Sequence, residues 1–276
     1  MKKLILLIIA LIIALTLLIA KERTGEKTEE KIDIGCVEYV KITVLIDNNP
    51  WKDLEAPWGI SIYIETNTCK ILFDTGPNPE ALRKNSEKLG VNLEEIDAVF
   101  ISHGHADHYG GLPLIAAIKP GVKVYIPSHA GNLAKYVESL NLTPVKIAGF
   151  TKLFNGVAST GELYGPPYEQ SLIIKTRKGL IVVTGCSHPG VDEILKKTVE
   201  LTNDKIYMVI GGFHLTGASE ERLEEIVKTI LQLKVEKVYP IHCSGENARK
   251  YFKQKLKEKY GDGHVGLTIT ITSTRL

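Results

Sequence analysis

The feature that most constrains the fold is an internal repeat with a spacing of about 110 residues. Three pairs of similar segments occur in the same order: 61–76 with 171–186, 98–105 with 207–214, and 123–129 with 237–242. Each member of the first pair consists of two short β-rich runs around a polar turn, which is typical of a hairpin. Because three pairs in register are improbable by chance, we infer two similar halves, each a hairpin followed by strands that alternate with helices.

Apolar residues at helical spacing lie between the predicted strands. Helices are predicted at residues 79–89, 93–96, 110–118, 132–140, 191–201, 219–233 and 248–260. Ser219, followed by Glu220 and Glu221, is the expected N-cap of its helix, and residues 265–272 alternate as a final strand. Near-continuous apolar strands with helices outside them predict an α/β fold, a four-layer α/β/β/α sandwich made of two similar halves.

An apolar segment precedes the repeat. Residues 4–20 contain one polar residue, Thr16, and follow Lys2 and Lys3. A run that is apolar on every face favours a membrane anchor or a signal peptide over a core helix. The segment ends in Leu18-Ile19-Ala20, with a large residue where a cleaved signal would have a small one. An uncleaved anchor is therefore favoured over a cleaved signal or a misassigned start codon. We expect three parts: residues 1–20 as anchor or signal, 21–35 as a charged linker, and 36–276 as one domain.

The balance of charge limits the class of partner. The chain has 34 Lys and Arg against 32 Asp and Glu, and two of these lysines precede the apolar segment. The remainder is close to neutral, so we expect small-molecule substrates and no nucleic-acid partner. The oligomeric state is left open. Four cysteines in 276 residues do not form a disulfide scaffold.

Six of the eight histidines follow apolar runs at the ends of predicted strands: His103, His105, His108, His188, His214 and His242. Loops at one end of a sheet converge in space, so we expect a shared site. The strongest motif, at residues 103–108, reads His-Gly-His-Ala-Asp-His. Imidazole and carboxylate are natural ligands of zinc and similar divalent ions. We expect His103 and His105 to reach one ion, and Asp107 and His108 to face a second.

These motifs resemble the metallo-β-lactamase fold superfamily. The likeness rests on the histidine motif after a strand, on Phe73-Asp74-Thr75-Gly76 before it and on His242 at a later strand end, and it covers residues 36–276. The resemblance implies two βα halves packed face to face, with one or two divalent ions (Zn, Mg or Mn) at one edge. It also implies that Asp74 orients a ligand histidine and that His242 closes the metal site.

The second half departs from the family pattern. The usual third ligand histidine is missing between His108 and the strand ending at Thr184, and Cys186 stands where a bridging aspartate is usual. Either Cys186 bridges as a thiolate, or His188 supplies the missing imidazole, or both do; His188 is favoured. The expected metal ligands are His103, His105, Asp107, His108, His188 and His242, with Cys186 and Glu169 as further candidates for metal or substrate.

Segments 168–172, 185–190, 211–215 and 242–245 are similar to one branch of the superfamily that includes an archaeal enzyme of methanopterin synthesis. The resemblance implies a transferase. It would condense 6-hydroxymethyl-7,8-dihydropterin diphosphate with 4-(β-D-ribofuranosyl)aminobenzene 5′-phosphate and release diphosphate. His214 is the candidate general base, because it occupies the repeat position of His105 without a partner ligand beside it.

Two alternatives to the transferase are a dinuclear metal hydrolase of a phosphodiester, lactone or thioester, and a non-catalytic metal-binding module. Because pterin synthesis takes place in the cytoplasm, we expect a membrane-anchored protein whose domain faces the cytoplasm. An extracytoplasmic domain is the alternative, and it would favour the hydrolase.

Overall fold

A computed structural model describes residues 33–272 of the chain. The strands there are β1 (Tyr39–Ile46), β2 (Ser61–Thr66), β3 (Lys70–Phe73), β4 (Ala98–Phe100), β5 (Lys123–Pro127), β6 (Thr143–Ile147), β7 (Thr151–Phe154), β8 (Val157–Tyr164), β9 (Tyr168–Thr176), β10 (Gly179–Thr184), β11 (Ile206–Gly212), β12 (Lys237–Ile241) and β13 (Thr268–Thr272). The α-helices there are α1 (Pro79–Lys88), α2 (Ala106–Tyr109), α3 (Leu112–Ile118), α4 (Leu133–Ser139), α5 (Val191–Thr202), α6 (Glu220–Gln232) and α7 (Glu246–Leu256). Short 3-10 turns lie at Leu93–Glu95, His242–Ser244 and Lys257–Lys259.

The strands form two mixed sheets. The first has the order β13-β1-β2-β3-β4-β5-β6, and the second has the order β12-β11-β10-β9-β8-β7. The predicted repeat is confirmed, because each sheet contains an antiparallel hairpin, β2–β3 or β9–β10, followed by two parallel strands. The strands β1 and β6–β8 were not predicted, because they lie outside the repeated segments.

Three apolar clusters confirm the predicted four layers. Residues between the sheets include Ile62, Phe73, Phe100, Leu172 and Val183. Leu72 points the other way from β3, onto the outer helices of the first sheet, as alternation along a strand requires. Helices α5, α6 and α7 cover the second sheet through residues such as Ile194, Ile230 and Phe252. The core thus fixes the two sheets face to face.

The predicted helices are present with small shifts at their ends, except that the one predicted at 93–96 is a short 3-10 turn, Leu93–Glu95. Ser219 caps α6 as expected, because its Oγ accepts a hydrogen bond from the backbone N–H of Arg222 at 3.3 Å. The helix predicted at 110–118 begins at Leu112. The helix predicted to reach residue 260 ends at Leu256, because Lys257 adopts a positive φ of 50°.

The membrane prediction requires a correction. Within residues 33–272 no helix is long and apolar enough to span a bilayer. The longest there, α6, has 13 residues, whereas a bilayer core needs about 20. We therefore withdraw the transmembrane helix and the membrane-anchored localisation. Residues 4–20, on which both rested, lie outside the described residues, and the predicted domain boundaries stay predictions.

Candidate metal centre

Ligand-type side chains follow the carboxyl ends of four strands that belong to the parallel parts of the two sheets. The segment after β4 carries residues 103–108, of which Asp107 and His108 lie in α2, and the loop after β10 carries Cys186 and His188. His214 follows β11, and His242 follows β12 directly. Parallel strands bring their carboxyl ends to one edge. The expectation that these loops converge is met.

The first cluster consists of His103, His105 and His188. The Nε2 atom of His103 lies 3.0 Å from Nδ1 of His105. The ring of His188 lies 4.5 Å from the ring of His103 and 5.0 Å from that of His105, centroid to centroid. His103, Cys186 and His188 each offer one ligand atom, and these three atoms lie within 4.8 Å of one another. His188 therefore lies beside both histidines of the first cluster.

The second cluster consists of Asp107, His108 and His242. Oδ2 of Asp107 lies 3.5 Å from Nε2 of His108 and 3.4 Å from Nε2 of His242. Ligand atoms of His108, Cys186 and His242 again lie within 4.8 Å of one another, with the Cys186 Sγ 3.3 Å from His108 Nε2. Cys186 thus adjoins both clusters. Cys186 and His188, the two alternatives that the sequence left open, therefore both lie at the site.

Asp74 orients His108. Its buried carboxylate accepts hydrogen bonds from the backbone N–H and hydroxyl of Ser102, both at 2.7 Å, and from His108 Nδ1 at 2.6 Å. Burial alone would lower the pKa of His108, but the Asp74 carboxylate outweighs it and raises that pKa. The Asp74 carboxylate holds the proton on Nδ1, so loss of the other proton leaves the His108 Nε2 lone pair directed at the cluster.

Glu169, on β9, orients His188 and holds its loop. Oε2 accepts hydrogen bonds from His188 Nδ1 at 2.8 Å and from the His188 backbone N–H at 2.9 Å. Oε1 accepts hydrogen bonds from the Thr184 hydroxyl and from the backbone N–H groups of residues 185–187. Burial would raise the pKa of Glu169, but hydrogen bonds from His188 and the backbone lower it. Both carboxylate oxygens of Glu169 therefore accept hydrogen bonds from the protein itself.

Asn48 orients His242 in the same way. The loop after β1 places Asn48 Oδ1 2.9 Å from His242 Nδ1, while Asp47 Oδ1 accepts the His242 backbone N–H at 2.7 Å. Sequence reasoning missed both residues. Their only signal was that two polar residues directly follow the apolar run of β1.

His214 lies beside the first cluster, with an exposed side chain. Its ring centroid is 4.7 Å from that of His188, and its backbone N–H donates to the Cys243 Sγ at 3.3 Å. Ligand atoms of His214, Cys186 and Cys243 lie within 4.8 Å of one another. A hydrogen bond with Cys243 raises the pKa of His214, against a smaller opposing effect of burial.

The backbone is strained around both clusters. Asp74, Ser187, His214 and His242 all have φ between 50° and 59°. Residues other than glycine rarely adopt this left-handed backbone conformation, and residues with such strain are found most often at functional sites. The surrounding hydrogen bonds hold these residues in place.

The donor set fits a divalent cation. The Nε2 atom of His242 is buried and has no hydrogen-bond partner among residues 33–272, which is costly for a polar atom unless a ligand engages it. Burial, and then the neighbouring His108, lowers the pKa of His103 well below its usual value, which favours the neutral imidazole that metals bind. Nearby His242 and His108 lower the pKa of Asp107 despite its partial burial, so its carboxylate is ionised.

A cavity of about 640 Å³ adjoins the loop of the first cluster. It is lined on one side by Gly104 and Ala106, which flank His105. Tyr109, Tyr136 and His129 also line it and contribute aromatic surface. Its size is that of a small-molecule site.

Comparisons with known proteins agree on the family. The model of the metallo-beta-lactamase superfamily matches residues 59–242. The 7,8-dihydropterin-6-methyl-4-(beta-D-ribofuranosyl)-aminobenzene-5′-phosphate synthase of Methanocaldococcus jannaschii is 30% identical, over 86% of this chain and 99% of the relative.

Solved structures give the same result. One described as a metal-dependent hydrolase of the β-lactamase superfamily is 31% identical, with a TM-score of 0.74 over 84% of this chain and 99% of its own. A metallo-β-lactamase fold protein of Bacillus subtilis shares the fold at 14% identity, with a TM-score of 0.62 over 84% and 99% of the two chains. The family match over residues 59–242 and the 30% identity over most of the chain show that it belongs to the metallo-β-lactamase superfamily, an enzyme superfamily whose fold implies binding of divalent metal.

Proposed function

We propose that this protein is a metal-dependent synthase. It condenses 6-hydroxymethyl-7,8-dihydropterin diphosphate with 4-(β-D-ribofuranosyl)aminobenzene 5′-phosphate and releases diphosphate, a step of methanopterin synthesis. The observation that carries the proposal is the similarity to the archaeal synthase over 99% of that enzyme's length. The two adjacent ligand clusters support it chemically, because a departing diphosphate requires neutralisation of its charge.

The metal ligands in this proposal are divided between the two clusters. His103, His105 and His188 hold one divalent ion, and Asp107, His108 and His242 hold the second. Cys186 contacts both sets, since its Sγ lies within 4.8 Å of ligand atoms in each. Bound at these residues, divalent ions supply Lewis-acid stabilisation of the leaving diphosphate.

Three side chains keep the ligands ready to bind. Asp74, Glu169 and Asn48 each accept a hydrogen bond from the Nδ1 of one histidine, which leaves the Nε2 lone pair for the ion. Asp74 and Glu169 act in the reaction only through these histidines, so they are positioning residues.

His214 is the proposed general base. The amine nitrogen of the aminobenzene attacks the methylene carbon of the pterin, and the bond from that carbon to the diphosphate oxygen breaks with its electron pair. The proton released by the amine passes to a ring nitrogen of His214. The exposed side chain beside the first cluster supports this role, as a base must reach bound substrate.

The test is a two-substrate assay on the full chain. The protein is incubated with both substrates and with Mg²⁺, Mn²⁺ or Zn²⁺, and diphosphate release is followed together with the coupled product. Product that requires both substrates supports the synthase. Absence of product from protein with bound metal overturns it. His214→Gln should lower turnover about 100-fold or more while leaving metal content unchanged.

A metal-dependent hydrolase is the second candidate. The observation that favours it is the similarity to a solved metal-dependent hydrolase, at 31% identity over 99% of that chain. The same ligands would activate water against a phosphodiester, lactone or thioester. Turnover of such a compound alone, with no product from the two synthase substrates, would favour this activity.

A further inference from the structure

Trp58 stands beside the second cluster, on the loop between β1 and β2. Its ring centroid lies 4.9 Å from that of His242, with the planes tilted by 56°. The neighbouring Ile60 donates its backbone N–H to the carbonyl of Asp107 at 3.4 Å. Trp58 therefore adjoins two loops that carry ligand residues.

Gly59 fixes this position. It adopts a φ of 150°, and a Cβ there would lie 2.6 Å from the Asp107 carbonyl oxygen. No other residue allows the loop to approach so closely without strain. The backbone next to Trp58 is thus held against the metal-binding motif.

The indole itself is left uncovered, with 56% of Trp58 exposed. Within residues 33–272 the other exposed large hydrophobic side chains are Trp51, Tyr164 and Leu231. A tryptophan held at a ligand cluster but open to solvent offers a flat apolar face at the point where a substrate would sit.

Trp51, on the same loop, has a different environment. Its ring stacks on His264 at 4.4 Å with an angle of 21° between the planes. His264 is in neither ligand cluster, so one face of Trp51 is already covered by a side chain of the protein. Trp51 and Trp58 are the two tryptophans of the chain, which makes Trp51 a matched control.

We propose that Trp58 is a stacking platform for the planar ring of one substrate, whose phosphate groups reach the ligand clusters. The inference rests on the proposed function, because that function supplies two ring-bearing substrates. The cavity beside His105 lies at the first cluster, and Trp58 lies at the second. The rings of the two substrates therefore have separate binding places. Pterin and aminobenzene rings share the necessary flat aromatic chemistry, and the test distinguishes them.

The test measures binding by calorimetry on the metal-loaded full chain. The probes are the pterin diphosphate, the aminobenzene ribose phosphate and inorganic diphosphate, which has no ring. Trp58→Ala should weaken one ring-bearing probe about tenfold, as loss of a stacking partner does. Inorganic diphosphate and metal content should change less than about twofold. Trp58→Phe should restore most of the affinity, and Trp51→Ala should change none of the three.

Three results would overturn the inference, and they separate it from the proposed function. If the unmodified protein binds both ring-bearing probes and Trp58→Ala binds them equally well, the platform is wrong and the synthase stands. If Trp58→Ala loses inorganic diphosphate as strongly as the rings, Trp58 acts by supporting His242 instead. If the unmodified protein binds neither ring-bearing probe, the synthase fails, and the platform for its substrates fails with it.

Discussion

At the scale of single residues, one buried carboxylate explains why His188 lies beside His103 and His105. Glu169 accepts hydrogen bonds from the backbone N–H groups of four consecutive residues, 185–188. This bends the loop after β10 so that His188 reaches His103 and His105. The sequence pointed to His188 but not to this arrangement, because Glu169 lies 19 positions before its partner and follows no recognised spacing.

The first expected outcome concerns Glu169→Gln. The glutamine amide has one acceptor oxygen in place of two, and its NH2 group would face N–H groups of the loop. The free energy of unfolding should therefore fall by about 2–3 kcal/mol or more. Affinity for metal should fall about 10–100-fold. Urea denaturation and metal titration measure the two effects.

A nearby glutamate provides the control for that experiment. Glu162, on the neighbouring strand β8, accepts hydrogen bonds from the backbone and ring of the exposed His129. Glu162 accepts two hydrogen bonds, and both come from one exposed residue, so Glu162→Gln should change the free energy of unfolding by about 1 kcal/mol and leave metal affinity intact. Equal losses in the two variants would contradict the role assigned to Glu169.

The second expected outcome concerns the thiol at the junction of the clusters. The neighbouring Cys243 and then burial raise the pKa of Cys186, so metal binding there must displace a proton. Cobalt-loaded protein should show a thiolate-to-metal absorption band that Cys186→Ser reduces. Cys69→Ser is the matched control, since Cys69 is equally buried but contacts Thr66 and Thr68. An unchanged band in Cys186→Ser would show that Cys186 is not a ligand.

At the scale of elements, β11 lets the loops after β10 and β12 meet. A Cβ on Gly211 would lie 2.0 Å from the carbonyl oxygen of Thr184, and one on Gly212 would lie 2.7 Å from the Cys243 Sγ. Because neither glycine has a side chain, the ends of β10 and β12 can pack closely against β11. The sequence marked this pair as part of a motif, but its physical reason required the sheet.

The third expected outcome tests that packing. Gly211→Ala should lower the free energy of unfolding by about 2 kcal/mol or more, because φ is 148° and backbone must move to admit the methyl group. Gly149→Ala is the control, since its added Cβ would meet nothing within 4 Å. Thermal denaturation compares the two, and equal stability would contradict the role given to Gly211.

Elements inside the repeat could be predicted because each is short, strongly apolar and present twice. Strands β6–β8 could not, since residues such as Thr143, Lys146 and Lys152 interrupt the apolar pattern. In the site, the histidines were identified by their place after strands. Asn48 and Trp58 were missed, because their approach to His242 depends on a loop nearly 200 positions away in sequence.

At the scale of the whole molecule, the proposed ligands come from both sheets. The loop after β4 of the first sheet carries residues 103–108, while Cys186, His188 and His242 follow strands of the second sheet. Asp47, next to β1 of the first sheet, also binds the His242 backbone. The clusters thus lie where the two halves meet.

The fourth expected outcome follows from that position. Ions bound to residues of both sheets stabilise the folded chain relative to the unfolded one, by about 2.7 kcal/mol at a metal concentration 100 times the Kd. Removal of metal with a chelator should therefore lower the unfolding temperature, and readdition should restore it. Calorimetry measures the shift; an unfolding temperature that ignores chelation would contradict binding across the two halves.

The uneven exposure of the ligand imidazoles has a consequence for handling the protein. His105 is exposed, whereas His103, His108 and His242 are buried. Asp107 is partly exposed, so each cluster has one side chain that solvent reaches, and a departing ion would have to leave partners that solvent hardly reaches. We therefore expect the metal captured during folding to persist through purification, so that growth medium, rather than assay buffer, determines which element the enzyme carries.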